Sequence, residues 1–209
     1  MSKSKMHTKD KILNKALEMF NERGIEYVGL RELAAVLGIR VGNITYYFPT
    51  KDDLVYALSQ ELGKKNSGVI VTSDNLTMKG FLEMQFAVFQ HHQQFRCLML
   101  SFVHLMQQNK LIAEAYKETQ KTRKNTIRAN MTVLAKSGYL DIKGESELEF
   151  MVTTLALISR FWISEAAISF RKLEGDDLII YYIKLVTTFF LPYSTIKGKK
   201  EISDYLKIY

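Results

Sequence analysis

A chain of 209 residues is long enough to bury a full core and to hold one or two domains. Its 29 Lys and Arg against 22 Asp and Glu leave a formal charge of +7, a balance that suits a polyanionic partner without naming one. The single cysteine, Cys97, excludes an intrachain disulfide framework and fits a reducing cytoplasm, and no apolar run follows the basic N-terminus, so no secretory signal is read there.

The first segment, residues 1–7, reads as a basic arm able to touch phosphates. A helix is expected from Thr8, which stands at the capping position with Asp10 in the first turn. Ile12, Leu13, Ala16, Leu17 and Phe20 fall on one face at spacings of three and four. Arg23-Gly24-Ile25 reads as its stop, with Gly24 left-handed and Ile25 folding back on Phe20 in a Schellman arrangement. The most informative stretch follows, Leu30-Arg-Glu-Leu-Ala-Ala-Val-Leu-Gly-Ile-Arg-Val-Gly-Asn-Ile-Thr-Tyr-Tyr-Phe48. Leu33, Ala34 and Leu37 are apolar at helical spacing, Gly38 permits a sharp turn, and Ile39 and Ile44 anchor a second short helix. This is a helix-turn-helix pattern, whose second helix enters the major groove of DNA. Thr50-Lys-Asp-Asp53 after Pro49 reads as a capping box with Asp in place of Glu, so a further helix starts there.

The first 65 residues hold 11 Lys and Arg against 8 Asp and Glu, so any DNA-binding patch must come from placement rather than amount of charge. Beyond them, sparse turn signals separate helical candidates near 52–66, 77–92, 94–108, 110–137, 146–171 and 176–191. No sustained strand alternation is present. The fold class is therefore all-α: a small N-terminal three-helix domain, 1–52, and a larger C-terminal helical bundle, 53–209. The apolar stretch Phe150–Phe170 is interrupted by Arg160 and Glu165, which favours a buried or interfacial helix over a membrane span.

Ile12-Leu13, Ala16-Leu17, Phe20, Arg23-Gly24, Leu33-Ala34, Leu37-Gly38-Ile39 and Gly42-Asn-Ile-Thr-Tyr-Tyr-Phe-Pro-Thr-Lys51 together resemble the tetracycline-repressor (TetR) family of bacterial transcription factors. The detailed resemblance covers residues 8–58. It implies a homodimeric, ligand-responsive regulator, most often a repressor, that binds a palindromic operator and is released or modulated by a small apolar or amphipathic effector. It also implies that the short third helix reads DNA through Arg40, Val41, Gly42, Asn43, Thr45, Tyr46 and Tyr47. Arg40 would bind guanine or phosphate, Asn43 and Thr45 base edges, and the two phenols phosphates, with Lys51 on a further phosphate. Val28-Gly29 stands where many members carry a phosphate-binding Thr or Ser, so the Gly29 N–H or Arg31 would take that contact. Val41 stands where many carry Lys, and would meet a thymine methyl.

By the same resemblance the C-terminal half holds an effector pocket and the dimer interface. It is rich in Met and aromatic residues, which suit a plastic apolar pocket. Polar residues near inward faces include Gln85, His92, His104, Gln107, Tyr116, Thr119, Arg123, Asn130, Ser159 and Trp162. The ligand-binding set is read as Gln85, Phe89, His92, Phe102, Met106, Tyr116 and Trp162. The last two long helices are too apolar to leave open, so Val152, Leu155, Ser159, Ile163, Ile179, Ile183, Val186 and Phe190 are read as the dimer interface. The spacing of His91, His92 and His104 fits no metal site, no cofactor is implied, and Cys97 reads as a buried inert thiol. The rival is an all-α small-molecule-binding protein or enzyme with a vestigial helix-turn-helix, for which no catalytic constellation is legible.

Overall fold

A computed structural model of the chain describes residues 7–70, 73–170 and 175–208. Apart from His7, the expected basic arm lies outside them. The described residues form eleven α-helices: α1 (Thr8–Arg23), α2 (Leu30–Leu37), α3 (Val41–Tyr47), α4 (Lys51–Val69), α5 (Met78–Gln94), α6 (Arg96–Leu100), α7 (Phe102–Gln108), α8 (Lys110–Lys136), α9 (Glu145–Ser169), α10 (Gly175–Phe190) and α11 (Ile196–Leu206). The candidate at 94–108 is thus two short helices that meet at Ser101. The only β-pairing among the described residues is an isolated bridge between Leu140 and Ser194. The all-α class is correct.

The chain divides into two compact units. The first takes residues 1–64 and 95–115, the second 65–94 and 116–209. The border expected after residue 52 falls in the first turn of α4.

In the first unit, Ile12, Leu13, Ala16 and Phe20 of α1 are buried with Leu33 and Ala34 of α2, Ile44 of α3 and Leu54, Val55 and Leu58 of α4. Phe95, Cys97, Leu98, Leu105 and Ile112 join the same core. Asn21 ties α6 to α1: its carbonyl accepts from the Arg96 guanidinium, and its Oδ1 accepts from the Cys97 N–H at 3.0 Å.

Local signals settle the helix ends here, with two differences from expectation. Thr8 is the first residue of α1 rather than its cap; His7 holds that position and makes no side-chain capping bond. Gly24 has the positive φ expected of it, 91°, but its ψ of 149° lies outside the left-handed helical well, so the Schellman turn does not form there. Ile25 is nonetheless buried in the core that holds Phe20. The Schellman turn is at Gly38 instead. Gly38, at φ 65° and ψ 29°, donates to Ala35, and Ile39 donates to the Ala34 carbonyl. The capping box forms as expected. Asp53 Oδ2 accepts from Thr50 N–H at 2.9 Å, and Thr50 Oγ1 accepts from Asp53 N–H at 3.1 Å.

The second unit is built on α5, α9, α10 and α11. Phe81 meets Phe190 edge to face at 5.5 Å, and Phe89 stacks on Trp162 at 4.9 Å. Helix α11, absent from the sequence reading, closes the unit. Thr195 Oγ1 caps it by accepting from Gly198 N–H and donates to the Gly138 carbonyl, while Thr195 N–H donates to the Tyr139 carbonyl. Gly198 is buried against that segment. A Cβ there would stand 2.2 Å from the Tyr139 carbonyl oxygen.

Candidate functional site

Helix α3 is seven residues long, and Ile44 is its only buried side chain. Ile44 and the following Phe48 pin it to the core, which is what the spacing of four achieves on one helical face. Every other residue of the helix but Thr45 faces outward. Arg40, at the capping position, is exposed, as are Val41, Gly42, Asn43 and Tyr47, and Tyr46 is 80% exposed. Thr45 is half-buried and its Oγ1 turns back to the Gly42 carbonyl. The Tyr46 and Tyr47 rings meet edge to face at 4.9 Å. Gly42 has ordinary helical φ, and nothing lies within 4 Å of where its Cβ would be. Neither backbone strain nor internal packing therefore requires glycine there. The fold thus presents a guanidinium, an amide and two phenols on a low, unencumbered ridge, groups that hydrogen-bond base edges and phosphate oxygens.

The flanking residues sort differently. Gly29 is the extended residue before α2, exposed and open around its α-carbon, and Arg31 is exposed in the first turn. Lys51 is half-buried, and its ammonium donates to the Glu26 carbonyl at 3.2 Å. Burial lowers its pKa, against the pull of Glu26 and Asp52. Sequence reading passed over Lys9. It is exposed in the first turn of α1, 5.8 Å above the Phe48 ring, which puts a cation beside the end of α3. Its signal was local: a lysine one turn before the buried face of α1 begins.

The proposed ligand residues divide between the two units. Gln85, Phe89, His92 and Trp162 are buried in the second. The Trp162 indole N–H donates to His92 Nδ1 at 3.2 Å. Burial, then the charges of Arg123 and His91, hold the His92 pKa well below its usual 6.5. Tyr116 is half-buried in the same unit, with the Arg160 guanidinium 5.7 Å over its ring. Phe102 and Met106 belong to the first unit, where Met106 packs on the core. Of the wider polar set, His104, Gln107 and Thr119 are exposed and Asn130 and Ser159 buried. Cys97 is buried, and burial pushes its thiol up to about 12, so it is no thiolate at neutral pH.

The eight residues read as the dimer interface turn inward. Val152, Leu155, Ser159, Ile163, Ile179, Ile183, Val186 and Phe190 are each 5% exposed or less within one protomer. They are its own core, because both helices are apolar on two faces and these residues lie on the inward one. The outward stripes carry Phe150, Leu157 and Ile168 on α9 and Tyr181 and Leu185 on α10, all exposed. They adjoin at both ends, where Phe150 meets Phe189 at 6.1 Å and Phe170 meets Tyr181 at 4.7 Å. Among the described residues α9 is the one helix long and apolar enough to cross a membrane.

Residues 12–58 match the sequence model described as bacterial regulatory proteins, tetR family, and residues 67–202 match that of the TetR bacterial transcriptional repressor. A probable HTH-type transcriptional regulator of Bacillus subtilis (strain 168), YttP, is 30% identical over 99 residues, 45% of this chain and 48% of that protein. The match therefore spans about half the length of that relative. A TetR-family transcriptional regulator from Marinobacter aquaeolei VT8 has the same fold, with a TM-score of 0.88, 23% identity and 97% and 98% of the two chains covered. PfmR of Thermus thermophilus, also of the TetR family, aligns with a TM-score of 0.64 and 17% identity over 87% of this chain and 96% of that one.

Proposed function

The chain belongs to the tetR family of bacterial DNA-binding transcriptional regulators, which are not enzymes, and from that premise we propose that it is a homodimeric, effector-responsive repressor acting in the cytoplasm. The observation that carries the reading is the α3 ridge, on which Arg40, Asn43, Tyr46 and Tyr47 are exposed while only Ile44 is used for packing. In this reading Asn43, Thr45 and Arg40 meet base edges, Val41 a thymine methyl, and Tyr46, Tyr47, Arg31 and the Gly29 N–H phosphates. Gly42 keeps the ridge low where the duplex approaches. Lys51 orients the loop at Glu26 and Lys9 supplies a cation beside the ridge.

One such helix contacts too few bases to be specific, so two copies read a pseudo-palindrome with half-sites one turn apart. The outward stripes of α9 and α10 offer the twofold contact: Phe150, Leu157, Ile168, Tyr181 and Leu185, exposed in one chain, are apolar residues that a second copy would cover as a four-helix interface. An effector held in the second unit would favour the separation of reading helices that fits the operator poorly, a coupling of about 1–3 kcal/mol.

The test is to select DNA fragments with the purified protein, sequence them, and measure binding to the recovered motif. A palindromic motif bound by a species of twice the 24.2 kDa chain mass is the expected result. Enrichment of no sequence, or tight binding by single chains, overturns it.

A further inference from the structure

Helix α8 carries Tyr116, Gln120, Arg123, Ile127, Asn130 and Leu134 at spacings of four, three, four, three and four, which is one face of the helix. Its C-terminal half is conventional: Ile127, Asn130 and Leu134 are buried. Its N-terminal half directs a phenol, an amide and a guanidinium the same way. Opposite them, on α9, stands Arg160, its guanidinium 5.7 Å from the Tyr116 ring and 5.8 Å from the Phe161 ring. Two arginines from different helices thus converge on one phenol, all within the second unit.

Arg160 shares a hydrogen bond with the Tyr116 phenol, but neither arginine has an acidic partner among the described residues. Lys124 and Arg128, on another face of α8, do pair with Glu149, and Arg128 with Glu145 as well. Arg160 Nε is buried without a hydrogen-bond acceptor, and Gln120 Oε1 is buried without a donor. Burial draws the Arg123 pKa down; Tyr116 opposes that, and the neighbouring Arg160 charge adds to it. Holding two like charges together in a half-buried place, with no anion between them, destabilises a fold. Such an arrangement is compensated when something negative enters.

We propose that this cluster is the seat of an anionic effector group: an organic carboxylate whose oxygens are received by Arg123 and Arg160, with the Tyr116 hydroxyl and the Gln120 amide beside them. The proposal rests on the effector reading above and names its ligand class. The guanidinium pair gives bidentate, planar recognition that a lysine would not. His92 would be indirectly sensitive to occupancy, since Arg123 acts on it electrostatically, and Trp162 shares a hydrogen bond with His92.

The experiment uses the full chain and four probes: dodecanoate, phenylacetate and the methyl ester of each. Trp162, the only tryptophan, reports binding by fluorescence, with calorimetry as a second readout. Carboxylates are expected to bind at least about tenfold more tightly than their esters, the worth of a charge-assisted contact. Arg123→Gln and Arg160→Gln should each abolish that preference while leaving ester binding unchanged. Both variants should keep or raise the melting temperature of the unliganded protein, because each removes one of two neighbouring like charges. Esters binding as tightly as acids, or acids binding unchanged in both variants, overturns the anion seat and leaves the effector reading standing. No saturable binding of any probe at millimolar concentration overturns both.

Discussion

The indole N–H of Trp162 on α9 donates to Nδ1 of His92 on α5 across 3.2 Å, with Phe89 stacked against the indole. The bond requires His92 to be neutral with its proton on Nε2, and burial enforces that state. Protons therefore prefer the unfolded chain. Stability contributed by neutral His92 is complete above the unfolded value near 6.5 and is lost as pH falls from there toward the lower folded value. His91, bonded to Asn66 and also lowered by burial, acts in the same sense. Denaturant titrations from pH 7.5 down to 5.5 should show stability falling by up to about 1.4 kcal/mol per pH unit for His92, and His92→Gln should remove most of the slope.

On the α3 ridge, Asn43→Ala should cost on the order of 1–3 kcal/mol of operator binding and relax preference at one base pair. Tyr46→Ala should weaken the operator complex too. Both side chains are exposed, so thermal unfolding should move by no more than about 0.5 kcal/mol. Unchanged operator affinity in both variants would remove α3 as the reading helix.

Two residues close in sequence on α10 separate the core from the proposed interface. Leu185 is 46% exposed and Ile183 is 1% exposed. Leu185→Glu should give folded monomers with lost operator binding. Ile183→Glu should lose the fold, since an unpaired buried charge costs several kcal/mol. Sedimentation mass and circular dichroism distinguish the two, and a dimeric, fully active Leu185→Glu protein would displace the interface from this face.

Gly198→Ala tests the closure of the second unit. The added methyl would sit 2.2 Å from the Tyr139 carbonyl oxygen, and a backbone atom cannot swing aside as a side chain does. We expect a loss of about 1–3 kcal/mol in thermal or urea unfolding, from displacement of α11. Gly42→Ala, with nothing within 4 Å, should leave stability unchanged or slightly raised while impairing operator binding.

What could be read from the chain followed how local its cause was. The apolar face of α1, the Thr50–Asp53 capping box and the anchoring of α3 by Ile44 rest on spacings within a few residues, and all appear as expected. The Schellman turn was assigned to Gly24 when Gly38 makes it, because either glycine satisfies the local pattern and only the onward path of the chain decides. Helix α11 was invisible: its buried face is only Gly198, Ile202 and Tyr205, and its cap, Thr195, is fixed by backbone from residues 138–139. On α10, apolar almost all round, no periodicity distinguishes Ile183 from Leu185. Arg123 and Arg160 become a pair only when α8 and α9 are packed, so the second of them read merely as a charge interrupting an apolar run.

The economy of α3 has a consequence for descent. A helix that buries one of its seven residues can exchange the five exposed ones with little effect on folding. Paralogues bearing new residues at 40–43, 46 and 47 would inherit an intact scaffold together with a different preferred site. Divergence of target recognition after gene duplication therefore meets almost no stability barrier at this position, whereas Ile44 and Phe48 are expected to stay fixed as neighbours change.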